Sequence, residues 1–194
     1  MSDGVFAIAM TLLVLDLKVP MDTVPGQLGA ALRQGSHEWV SFAITFALAA
    51  GFWSLQHGVF DRLDTIGKES LTLTFVFLCF VSVLPFSTSL WGHHLNDPVA
   101  FVIYFGNQAA LAVVLVAKLE VARAKGHLKP GIETQRLRLR LYTMSIAMGG
   151  GVVGAMFLPL QFVAIPAVVV GAGGRVARKA MEKRAARLGG ETPG

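Results

Sequence analysis

The stretch SDGVFAIAMTLLVLDL, residues 2–17, decides how this chain is read. Asp3 opens it, Asp16 closes it, and Thr11 is the only polar side chain between them. It is a little short for a membrane span, which takes about 20 apolar residues. It is also a poor secretory signal. An acid stands where a basic region belongs, and no small-residue cleavage site follows at Leu17-Lys18-Val19-Pro20. Two readings remain: a buried helix of a soluble protein, or a membrane helix.

Composition chooses between them. The 194 residues are 54% hydrophobic and only 15% charged, where a soluble domain carries about 25% charge. Mean hydropathy is +0.59. That much apolar surface cannot be hidden in one water-soluble core of this size, so the expectation is an all-α integral membrane protein. A net charge of +5 would suit a nucleic-acid binder. The basic residues instead cluster in segments flanking apolar runs, as in cytoplasmic membrane loops, and nucleic acid is excluded as a partner. Cys79 is the single cysteine and lies in an apolar run, so no intramolecular disulfide forms, and metal-binding Cys spacing is absent.

Six apolar segments follow one another at about 2–19, 37–57, 69–91, 98–118, 139–158 and 160–174. The last two, split by Pro159, read as a tight helical hairpin. In a six-span arrangement every one of the 17 basic residues except Lys18 and Arg33 falls on one side. The positive-inside rule makes that side, and both termini, cytoplasmic. The expected organisation is a six-helix membrane domain over 1–175 and a basic cytoplasmic tail, partly disordered, over 176–194. Residues 119–136 read as a polar loop or a helical extension. Trp53 and Trp91 lie near segment ends as candidate interface anchors. Gly149, Gly150, Gly151 and Gly154 suit close helix packing. His93 and His94 fall in the outer loop after the third segment, without metal-ligand spacing.

On a helix of 3.6 residues per turn, Ile8, Thr11, Leu12 and Leu15 share one face of the first segment, with Gly4 beside them and Asp16 at the edge. Asp3 and Met10 point the other way. Such a stripe packs against neighbouring helices or lipid, with Thr11 bonded back to its own backbone, or it lines a pore as stacked apolar rings that block ions by dewetting. One helix cannot enclose a pore, so the second reading requires an oligomer. A buried Asp3 needs a partner within the protomer. The expected network joins Ser2, Asp3, Trp53 and His57, the alternative being that Asp3 caps the helix N-terminus.

The same stretch resembles the first-helix signature of the transmembrane protein 175 family of potassium channels, an Arg-x-x-x-Phe-Ser-Asp motif followed by Ala-Ile and Thr-Leu-Leu-Val-Leu. Ser2, Asp3, Ala7, Ile8, Thr11, Leu12 and Leu15 fit it in register. Trp53, His57 and Phe60 are similar to the family's second-helix pattern, and Leu84, Pro85, Phe86 and Thr88 to its Leu-Pro-Phe-x-Thr run. Met1 stands at the signature's Phe position and the upstream arginine has no counterpart, so the beginning of this helix is expected to be missing. Thr74 stands where family members often carry Asn.

The resemblance implies a homotetramer in which the first helix lines a central pore. Ile8 would be its narrowest point, with Leu12 and Leu15 further out and Thr11 as a hydroxyl layer. The Thr-Val-Gly-Tyr-Gly filter of ordinary potassium channels is absent from the family and from this chain. The implied function is a potassium-permeable cation channel of the cell membrane. Potassium ions, with other monovalent cations, are its permeants, the lipid bilayer and further copies of itself its partners, and no cofactor, metal or enzymatic activity is expected. Asp16 near the outer mouth would raise the local cation concentration. A proton-coupled or proton-conducting transporter using Asp3, His57 and Glu69 or Glu120 is the alternative. A membrane enzyme would need clustered acids, His or a metal, and the sequence offers no such constellation.

Overall fold

A computed structural model of the chain describes residues 1–17 and 26–155. The sixth expected segment and the tail over 176–194 lie outside the described residues, as do Lys18 and Pro20, which end the first segment. The described residues are helical: α1 (Ser2–Leu12), α2 (Leu28–Gln34), α3 (Ser36–Phe60), α4 (Lys68–His93), α5 (Pro98–Ala124) and α6 (Gln135–Ala155). Five expected segments thus fall on α1, α3, α4, α5 and α6, and α2 occupies a stretch expected to connect. Helices α3, α4 and α5 are long and apolar enough to cross a membrane.

The first segment departs from a uniform α-helix. After Leu12 it tightens into a 3₁₀ turn over Leu13–Asp16. Three residues per turn stack side chains at i and i+3. Leu15 therefore stays over Leu12, while Asp16 swings over Leu13, which is buried. Phe6, Ala9 and Leu13 form the stripe that packs into the protomer, with the Phe6 ring against Phe77 of α4 at 5.9 Å between centroids.

Helix α5 is the centre of the protomer, packed against α4, α6 and α3. Asp97 caps it by accepting from the Val99 amide at 2.7 Å, and Pro98 occupies its first turn, where no amide is missed. Three hydroxyl groups inside this core are linked in a chain. Thr45 and Tyr104 hydroxyls lie 2.8 Å apart. Thr88 contacts Thr45 at 3.1 Å and donates to the Leu84 carbonyl at 2.7 Å. That bond is the ordinary back-bond of a helical threonine; the carbonyl that Pro85 deprives of an amide donor is that of Val81, one turn before the proline.

Several expectations are corrected by packing. Trp91 is not an interface anchor: it is buried and stacked on Tyr104 at 4.5 Å. His93 is the last residue of α4 rather than part of a loop, and its Nε2 lies 3.6 Å from Glu38 of α3. Methyl groups built at Gly149 and Gly150 would meet no described atom within 4 Å, so these glycines do not mark a close contact between described helices. The close approach is at Gly92, where a methyl group would come within 2.6 Å of Ser41 Oγ. The fourth segment runs past Lys118 to Ala124, which takes Lys118 out of the expected loop and buries it completely.

Candidate functional site: the two faces and two ends of α1

Because nearly every residue of α1 is apolar, its burial pattern rather than its hydropathy separates its faces. Opposite the Phe6–Ala9–Leu13 stripe, Ile8 is 61% exposed, Leu12 43% and Leu15 70%. Thr11 shares that open face and donates its hydroxyl hydrogen to the Ile8 carbonyl at 2.8 Å. A hydroxyl committed in this way turns only lone pairs outward, and those accept from water or coordinate a cation. The described residues therefore present a continuous stripe of three branched apolar side chains and one hydroxyl oxygen that no other described residue covers.

The first turn of α1 is fastened to α3. Trp53 Nε1 donates to Asp3 Oδ1 at 2.9 Å, and His57 Nε2 lies 3.3 Å from the same oxygen. Trp53 and His57, one helical turn apart, also pack ring on ring at 4.2 Å. His57 Nδ1 donates to the Trp53 carbonyl at 3.0 Å, so a second ring proton on Nε2 completes an ion pair with Asp3. Ser2 does not join this network. Its hydroxyl is shielded and finds no hydrogen-bond partner among the described residues. Ser2, Asp3 and His57 instead share a half-open cavity of about 370 Å³ with Phe60, Thr74 and Leu71.

The far end of α1 is fastened to α4. Ser89 Oγ donates to Asp16 Oδ1 at 2.8 Å. Asp16, expected at the edge of the stripe near the outer mouth, is thus half-buried and tied to α4. No signal in the sequence marks Ser89, which is one of several small hydroxyl residues along the end of α4. Lys118 was equally hidden among the basic loop residues. Its Nζ donates to Thr74 Oγ1 at 2.9 Å and sits 3.4 Å from the centroid of the Phe60 ring.

Three apolar helices able to span, joined to a short apolar helix and an all-helical core, define a multi-pass α-helical membrane protein. The family model described as endosomal/lysosomal potassium channel TMEM175 matches residues 1–85. The first 85 residues are thus similar to the TMEM175 family. Among its relatives, a protein of Streptomyces collinus named a potassium channel is 28% identical over 182 residues, covering 89% of this chain and 84% of that one. One from Chamaesiphon minutus, also named a potassium channel, is 33% identical over 118 residues, 58% of either chain. One of the same description from a Chryseobacterium species is 25% identical over 160 residues, 81% of each. In structure the chain is similar to a protein from Chamaesiphon minutus titled a lysosomal potassium-selective channel TMEM175 homolog. The TM-score is 0.79 at 23% identity, over 91% of this chain and 93% of that one, which establishes the fold.

Proposed function

We propose that the protein is a potassium-permeable cation channel, a homotetramer in which four copies of α1 surround a central pore. The observation that carries this reading is the uncovered stripe of Ile8, Thr11, Leu12 and Leu15 on a helix whose opposite stripe is buried. Both ends of that helix are fastened to its own protomer, so its open face is held in a fixed direction. The naming of its bacterial relatives as potassium channels supports the choice of ion.

In this reading Ile8 closes the path, and Leu12 and Leu15 lengthen the apolar seal. Water leaves such a constriction readily, and an ion passes only by shedding hydration. Thr11 supplies four hydroxyl oxygens, one per protomer, to the dehydrating cation. No carbonyl filter takes part. Asp16, tied to Ser89, adds negative charge at the outer end, and both termini face the cytoplasm with the basic loops. The domain over 1–175 is the channel and 176–194 its basic tail.

Single-channel recording of the purified protein under a potassium-to-sodium gradient tests this. Ile8→Asn or Ile8→Ala raises leak and alters ion discrimination, while Met10→Ala leaves both near wild type. Equal currents and selectivity for wild type and both Ile8 variants would sink the model. The Asp3–His57 pair, at 3.3 Å, favours one second reading, a proton-conducting path. Flux driven by a proton gradient without potassium, abolished in Asp3→Asn, would establish it instead.

A further inference from the structure

Lys118 has no exposed surface in the protomer, and burying a cation is costly unless something receives it. Two groups do. Thr74 Oγ1 passes its own hydrogen to the Ser70 carbonyl at 2.7 Å and so turns lone pairs to the Lys118 ammonium at 2.9 Å. The Phe60 ring offers its electron-rich face at 3.4 Å. No described carboxylate lies within 4.0 Å of this ammonium. Packing does not call for it, since Met or Leu would fill the same space without desolvating a charge. Charged groups within a membrane bundle mark function more often than scaffold.

The position of the charge indicates its use. Thr74 and Phe60, the two groups that hold the ammonium, also line the cavity that Ser2 and Asp3 close from the α1 side. The charge therefore stands one side chain behind the wall facing the first turn of α1. We infer that Lys118 sets conduction: repeated around the axis, its positive charge opposes cation accumulation at the end of the pore where α1 begins and offsets the Asp3 carboxylates there. This inference rests on the proposed reading of α1 as the pore helix. A charge fixed in low-dielectric protein projects into the mouth of the path, and only the water there screens it.

The test compares Lys118→Met and Lys118→Gln, which remove the charge, with Lys118→Arg, which keeps it. Unitary potassium currents are recorded in planar bilayers at low and at molar salt, after assembly is checked by size-exclusion chromatography. Both neutral variants are expected to raise the unitary current roughly two-fold at low salt and much less at ~1 M, where the mouth is screened. Lys118→Arg is expected to stay at the wild-type current. Unchanged low-salt current in assembled neutral variants overturns the inference. So does loss of assembly in both, which would make Lys118 a structural residue. Ile8→Asn is recorded in parallel. If it alters the current while the Lys118 variants do not, this inference alone fails; if it is silent too, the reading of α1 has failed first.

Discussion

Trp53 donates its indole N–H to the Asp3 carboxylate at 2.9 Å, which makes the second long helix the holder of the first turn of α1. An acid at the start of an apolar helix would otherwise be free to cap its own N-terminus. Held by Trp53 and faced by His57, Asp3 sets the rotation of α1 at its beginning, as Ser89 does through Asp16 at its end.

Trp53→Phe keeps the ring and removes the donor. We expect it to lower protomer stability by about 1 kcal/mol, the usual worth of such a bond, read as a fall in the thermal midpoint in detergent. Asp3→Asn should cost a similar amount. The double variant should cost less than the two together, because both remove one interaction.

Phe6 and Ile8 are two residues apart and should behave oppositely. Phe6 is buried against Phe77, so Phe6→Ala leaves a void and costs about 3 kcal/mol of stability. In a bilayer the loss is dispersion contact rather than hydration. Ile8→Ala, on the open face, should leave the protomer's thermal midpoint within a degree or two while changing conduction.

Ser89→Ala releases Asp16 and with it the 3₁₀ turn that keeps Leu15 over Leu12. The expected result is a changed outer-end conductance with stability lowered by about 1 kcal/mol. Asp16→Asn should give the same conductance phenotype, and adding Ser89→Ala to it should change little further. Independent, additive effects in bilayer recordings would mean that the bond does not position the turn.

Gly92→Ala should be harmful, because its methyl group would come within 2.6 Å of Ser41 Oγ. Ser41→Gly in the same chain should restore much of the lost thermal midpoint by vacating that space. Gly149→Ala, with no described atom within 4 Å of the added carbon, should be neutral or slightly stabilising as a better helix former.

Helices α1, α3, α4, α5 and α6 were legible in the sequence, because a long apolar run between polar ends leaves few choices in a bilayer; the short α2 was not. Where the fourth segment ends was not. Lys118 looks like a stop because charge ordinarily sits outside a membrane, and only Thr74 and Phe60, distant in sequence, give it a place inside. The bond from Ser89 to Asp16 was hidden for a local reason, since a 3.6-residue period does not foresee a 3₁₀ turn. Trp91 and Gly92 were hidden because their roles depend on what stands across from them, Tyr104 and Ser41.

Residues 2–17 by themselves determined that the chain opens with an apolar helix too polar at its ends to be lipid filler, and that Ile8, Thr11, Leu12 and Leu15 share a side of it. Periodicity groups residues by angle, so it could say which side chains travel together. It could not say which group turns inward, because both faces are apolar and a bilayer does not distinguish them by hydropathy. Tertiary packing decided that: Phe6, Ala9 and Leu13 fill the space beside α4, both ends of α1 are hydrogen-bonded to its own protomer, and the remaining face is left open.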